Sequence, residues 1–280
     1  GLGDVYKRQA KEIIMKIGKH DIDGKACIMG VLNVTPDSFS DGGSYTSVEK
    51  ALEQADKMIT EGAKIIDVGG ESTRPGYTFV EAADEINRVV PVIKALKEKF
   101  DVLVSIDTYK TETARAALEA GADILNDVWA GLYDGEMLAL AAEKNVPIIL
   151  MHNQKEEKYD NITKEVCEFL VERAKAALDA GVAKENIWID PGFGFAKNEA
   201  QNIELLQGLD AVCQLGYPVL FGISRKRTVD YLLGGGTAAL ERDMGTAALS
   251  AWAITKGCQI VRVHNVDLNR DIVKVISQLV

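Results

Sequence analysis

Four side chains spread along the chain, Asp107, Asn126, Asp190 and Lys226, are of the types needed to hold a flat heterocycle with amide and amino edges. The carboxylates accept from amino and imino hydrogens, the amide accepts and donates, and the ammonium donates. A second set, Asn33, Arg262 and His264, joins two cationic types to an amide oxygen, which suits a diphosphate. Asn33 or Asp41 is available to a magnesium ion that the diphosphate itself would mostly hold. Glycines in Asp41-Gly42-Gly43 and Pro191-Gly192-Phe193-Gly194 would let backbone approach a ligand closely.

Neighbouring residues carry plainer readings. Asp67, with glycines after it, reads first as a structural carboxylate capping backbone amides. Of Asn126 and Asp127 only one can point inward, because successive strand residues face opposite sides, and the sequence does not choose between them. His152 is at least as readily a hydrogen-bonded packing residue as a ligand contact. Of Phe193 and Phe195, at least one is expected to cover a ligand.

Every residue of these sets lies at or just after the end of a β-branched run. Eight such runs are present: Ala26–Val34, Lys64–Gly70, Val102–Thr108, Ile124–Val128, Pro147–His152, Ile187–Gly192, Pro218–Ser224 and Cys258–Val266. Amphipathic stretches separate them, near Ser47–Glu61, Glu81–Phe100, Thr111–Ala120, Gly135–Lys144, Lys164–Ala180 and Ala200–Gly208, with one or two more before Lys256 and a last one at Leu268–Val280. Glu61-Gly62-Ala63, Ala120-Gly121-Ala122 and Ala180-Gly181-Val182 each place a glycine where a left-handed helix end is wanted. Polar or glycine-rich signals follow nearly every run. That favours an α/β chain folded as a single (β/α)8 TIM barrel, whose strand-end loops converge on one site, over a doubly wound open sheet. Ile13–Lys25, with Asp23-Gly24 as its turn, predicts a short hairpin at the bottom of the barrel. Residues 1–12 read as a tail and residues 13–280 as one catalytic domain, with Gly234-Gly235-Gly236 a loop within it.

At 280 residues, 47% hydrophobic and 26% charged, the chain can bury one barrel-sized core. A net charge of -10 disfavours nucleic acid or an anionic membrane as the main partner. Cys27, Cys167, Cys213 and Cys258 show neither a CxxC pair nor zinc spacing, so reduced thiols and a cytoplasmic setting are expected. No apolar run approaches the roughly 20 residues of a membrane span.

The motifs LNVTPDSFSDGG, DVGGESTRPG, SIDT, NDV, DPGFGFAKN, SRK and RVHNV, in this order and over essentially the whole chain from about Cys27, resemble those of the dihydropteroate synthase family. The resemblance implies condensation of 6-hydroxymethyl-7,8-dihydropterin diphosphate with 4-aminobenzoate, with magnesium, in a homodimer. It implies that Asp107, Asn126, Asp190 and Lys226 hold the pterin, and that Asn33, Arg262 and His264 hold the diphosphate, with magnesium near Asn33 and Asp41. Thr73, Arg74, Phe195 and Ser224, with the helix start after it, would form the 4-aminobenzoate pocket. Asp107, Lys226, Arg262 and His264 would be catalytic. A methyltetrahydrofolate-dependent methyltransferase is a second reading, but it does not account for the TPDSFS loop or SRK. A silent pterin-binding paralogue is a third, against which the complete set of polar strand ends speaks.

Overall fold

The computed structural model describes residues 15–17, 20–22, 26–35, 44–71 and 79–280. Strands β1 (Met15–Ile17) and β2 (His20–Ile22) pair antiparallel with Ile17 opposite His20. The hairpin therefore turns between those two residues, not at Asp23-Gly24. Asp23-Gly24 and the tail through residue 12 lie outside the described residues.

The eight runs become eight parallel strands: β3 (Cys27–Asn33), β4 (Ile65–Gly69), β5 (Leu103–Asp107), β6 (Ile124–Asp127), β7 (Ile148–Met151), β8 (Ile187–Asp190), β9 (Leu220–Phe221) and β10 (Ile260–Val263). Their order in the sheet is β8-β7-β6-β5-β4-β3-β10-β9. A parallel bridge between Ile189 and Val219, with Ile189 N–H donating to the Pro218 carbonyl at 2.9 Å, joins the two ends into a ring. Sequential order without a reversal is the signature of a barrel, as expected from the strand-end loops.

Covering this ring are α1 (Ser44–Thr60), α2 (Ala82–Lys99), α3 (Thr111–Glu119), α4 (Met137–Lys144), α5 (Ile162–Asp179), α6 (Glu199–Gln207), α7 (Leu209–Cys213), α8 (Arg227–Leu232), α9 (Asp243–Lys256) and α10 (Val266–Ile276). The three helix-ending glycines adopt φ of +111° at Gly62, +109° at Gly121 and +96° at Gly181. After each, the same pair of backbone bonds closes the helix, as in Ala122 N–H to Ala117 O at 3.0 Å and Gly121 N–H to Leu118 O at 3.0 Å. The last apolar run was expected to continue as strand to Val266 but stops at Val263. Asn265 Oδ1 accepts from Leu268 N–H at 3.1 Å, and this cap starts α10 at Val266.

Strand periodicity sorts the core into two layers. Side chains facing the helices, such as Ile66, Val68, Val104, Ile106, Leu125 and Val261, join one large apolar layer with the helix faces. The alternate residues face inward. Cys27, Met29, Ile65, Leu103, Ile124, Ile149, Trp188, Leu220 and Ile260 fill the interior as a separate buried cluster. One or two inward positions further along the same strands, the side chains change to polar and charged: Asp67, Ser105 and Asp107, Asn126, Asp190 and Arg262. An apolar plug at one end of the barrel thus carries a polar floor at the other, where the loops converge.

Candidate active site

A cavity of about 600 Å³ opens at the C-terminal end of the barrel. All eight strands or their following loops line it, with Asn33, Glu71, Asp107, Asn126, Met151, Asp190, Ser224 and Arg262 contributed in turn. Lys226, Phe195 and His264 also face it. The fold therefore gathers Asp107, Asn126, Asp190, Lys226, Asn33, Arg262, His264, Phe195 and Ser224 around one space. Asp41, Thr73 and Arg74 lie outside the described residues.

Arg262 is the centre of the floor. Its Nε donates to Asp67 Oδ2 at 2.6 Å and its Nη2 to Asp107 Oδ2 at 2.7 Å, while Asn126 Nδ2 reaches the same Asp67 oxygen at 3.1 Å. Asp67, fully buried, thus holds two side chains of the site and not backbone amides as its following glycines suggested. Parity is the signal that could have found it: Asp67 lies two residues after inward Ile65, so it had to share the interior with the ring. Two carboxylates and one guanidinium leave the floor an excess negative charge. Burial drives the Asp107 carboxyl up to about 7, with Asp67 adding to the rise and Arg262 opposing it. Among the described residues, Asp67 Oδ1 and Asp107 Oδ1 have no hydrogen-bond partner.

On the opposite side, Asp190 Oδ1 accepts from Gly192 N–H at 2.7 Å, and burial raises its carboxyl against the pull of Lys226. Lys226 Nζ donates to the Phe193 carbonyl at 2.5 Å and stands 4.4 Å from the Phe195 ring centre. Burial lowers this ammonium to about 8, although Asp190 favours its charged form. Phe193 is completely buried and packs edge-on against Phe221, so of the two aromatics only Phe195 meets the cavity. Ser224 Oγ lies 2.9 Å from His264 Nδ1 and accepts from the His264 N–H at 3.1 Å.

Asn126 is the inward member of its pair. Asp127 instead accepts from Trp129 N–H at 2.8 Å and Gly131 N–H at 2.6 Å, shaping the following turn. His152 is a packing residue, edge-on to Phe169 with ring centres 4.8 Å apart. Its Nδ1 meets Lys197 Nζ at 2.9 Å, and burial holds the imidazole down to about 3, so it stays neutral. Lys197 gave no sign of its role in the sequence. It bonds the carbonyls of Gly192 at 2.9 Å and Phe195 at 3.0 Å, and burial lowers it to about 7. This lysine moulds the loop that presents Phe195.

The glycines of that loop are packed closely against protein, and Gly194 also lines the cavity. A Cβ on Gly192, at φ +71°, would stand 2.0 Å from the His152 carbonyl oxygen, and one on Gly194 would press on Lys226 Cδ at 3.0 Å. Gly192→Ala is therefore expected to destabilise the fold by more than about 2 kcal/mol, from left-handed strain and a backbone clash together. Urea denaturation checks this, and a midpoint equal to the parent's would refute it.

The fold and site define a TIM barrel with a polar, charged cavity floor at the C-terminal end of its strands. Comparison with known proteins gives the same class a name. The model of the pterin-binding enzyme family matches residues 29–264. A dihydropteroate synthase of Streptococcus pyogenes serotype M6 is 76% identical over 265 residues, 95% of this chain and 100% of that one. A Xanthomonas albilineans dihydropteroate synthase solved with 4-aminobenzoic acid is 43% identical, with a TM-score of 0.88 over 93% of this chain and 94% of that chain. The X. albilineans enzyme in complex with 7,8-dihydropteroate gives 41% identity and a TM-score of 0.84, over 91% and 94%. The chain belongs to the pterin-binding enzymes and, among them, to the dihydropteroate synthase family.

Proposed function

We infer that this chain is a transferase that condenses 6-hydroxymethyl-7,8-dihydropterin diphosphate with 4-aminobenzoate, releasing diphosphate and forming 7,8-dihydropteroate. The observation that carries the reading is the inward ring of Asp107, Asn126, Asp190 and Lys226 beside Arg262 and His264 in one cavity. Asp190 and Asn126 hold the amino and amide edges of the pterin, and Lys226 bonds its ring from the side shared with Phe195. Arg262 and His264 take the charge that grows on diphosphate as the carbon–oxygen bond breaks. The carbon left behind is a cation conjugated with the electron-rich pterin, which favours a dissociative displacement. Asp107 stabilises that cation, and the weakly basic arylamine attacks it without a strong general base. Phe195 and Ser224, with Thr73 and Arg74, form the 4-aminobenzoate side.

Among the described residues no group of three His, Cys, Asp or Glu could hold a metal ion by itself. Asn33 offers the cavity one amide oxygen, which fits a magnesium ion whose other ligands come from diphosphate and water, with Asp41 as a second protein donor. Bound magnesium would neutralise charge on the leaving group. The protein would work as a homodimer in the cytoplasm. Large apolar side chains exposed between residues 231 and 244, at Tyr231, Leu232, Leu233, Leu240 and Met244, support an association face. Among the described residues no helix is long and apolar enough to cross a membrane.

Incubation of the protein with both substrates and magnesium is expected to give dihydropteroate and diphosphate. A folded sample that yields no dihydropteroate by mass spectrometry would end this reading. A pH profile tests the charges separately. Below about 7 Asp107 gains a proton and loses the negative charge that faces the cation, and above about 8 Lys226 loses its positive charge. The value of kcat/KM for the dihydropterin diphosphate should therefore pass through a maximum between these values and fall on both sides. A profile flat from pH 6 to 9 would remove both groups from the reaction.

A further inference from the structure

The hydrogen-bonded ladder between β9 and β10 ends at Phe221 and Val261, short of Lys226 on one strand extension and His264 on the other. Backbone pairing therefore does not fix these two groups relative to each other. Side chains make the connection instead. Ser224 and His264 form the lower link. Above it, Asp243, the first residue of α9, accepts from Arg225 Nε at 2.6 Å, Arg225 Nη2 at 2.8 Å and Asn265 Nδ2 at 2.9 Å. Arg225 directly precedes Lys226, and Asn265 directly follows His264.

The backbone at Arg225 needs such support. Its φ is +60°, in the left-handed region that a branched-off Cβ disfavours. The start of α9 grips it on every side: its N–H donates to Thr246 Oγ1 at 3.1 Å and its carbonyl accepts from Arg242 Nη1 at 3.1 Å. Burial works to raise the Asp243 carboxyl, but the bonds from Arg225 and Asn265 outweigh it, so Asp243 stays below the usual carboxylate range. Only an acceptor of several donors at once can fill this position, and an amide would set an N–H against one of them.

We propose that Asp243 is a positioning residue for the transfer reaction, joining the extensions of β9 and β10 so that Lys226 and His264 act in one fixed geometry. The proposal rests on the roles given to those two residues above. Asp243 itself touches neither substrate; it acts through Arg225 and Asn265.

The test is Asp243→Asn in the full chain, read by NMR of ring-labelled histidine and by kinetics. The chain has three histidines, His20, His152 and His264, so the spectrum is simple. The His264 signal is expected to move while that of His152 stays, and kcat/KM for the dihydropterin diphosphate should fall about 10- to 100-fold from misplacement of the reacting groups. Affinity for the free hydroxymethyl-dihydropterin should fall too, because Lys226 shifts with His264. If the first variant does not fold, Arg225→Gln, which opens the clamp on the Lys226 side and leaves the Asp243–Asn265 bond, should lower kcat/KM and the affinity for the free hydroxymethyl-dihydropterin in the same way. A native His264 signal, or a loss of thermal stability with turnover per folded molecule unchanged, would overturn the proposal. The ligand-free spectrum reports on the clamp even if the protein forms no dihydropteroate, so the two readings fail separately.

Discussion

Arg262→Ala is expected to reduce kcat by about 10²–10³-fold, the scale for removing a preorganised donor from a developing anion, and to destabilise the fold as well. The second effect follows from what the guanidinium leaves behind. Asp67 and Asp107 are both buried, and each gives an oxygen to Arg262 at 2.6 and 2.7 Å. Breaking such a pair from one side costs about 3–5 kcal/mol, because the remaining charge has neither water nor a partner. The penalty should depend on pH with a definite sign. Without Arg262 the buried Asp107 carboxyl holds its proton more tightly than in the unfolded chain, so the folded state binds more protons and stability falls as pH rises between the ordinary carboxylate range and about 7 or above. Urea midpoints at pH 6 and pH 8 measure it, and the variant should be nearer to the parent at pH 6. Adding Asp67→Asn should recover part of the stability and none of the turnover. A single variant with parental midpoints at both pH values would mean that the floor does not depend on this ion pair.

The same geometry changes the expected division of the pocket. Arg262 alternates with His264, which by spacing alone puts it in the anion half, but its bond to Asp107 ties it to the ring half as well. Its loss should therefore weaken both the diphosphate ester and the free pterin, whereas His264→Ala should remain selective for the ester.

Asp190→Asn should weaken pterin binding by about 2–4 kcal/mol, the range for losing a charge-assisted pair in a buried site. One carboxylate oxygen is committed to Gly192 N–H at 2.7 Å, and the other is left to accept from the ligand. An asparagine must turn its only acceptor toward one of these and its NH2 toward the other, so one donor meets a donor. Lys226 would lose a counter-charge at the same time. Calorimetry with the dihydropterin measures the change. Unchanged affinity in a folded variant would show that Asp190 serves only to shape the Gly192 loop.

How much of this could be read from residues alone depends on the range of the physics involved. Alternation of period two and the β-branched runs are local, and they determined the eight strands, the barrel and the inward placement of Asp107 and Asp190. The three helix-ending glycines followed from the same local steric rule and took the expected positive φ. The motifs at the strand ends, matched as an ordered set, were enough to suggest the family. What the sequence did not determine was who partners whom across the ring. Asp67 and Arg262 are 195 residues apart, and only closure of the barrel brings them to 2.6 Å. The inward choice between Asn126 and Asp127, the neutral His152 held by Lys197, and the Asp243 clamp are of the same kind. Each is decided by burial and by a partner on another element, because a buried charge or donor must be satisfied by whatever the fold places beside it. Spacing along the chain carries no record of that neighbour.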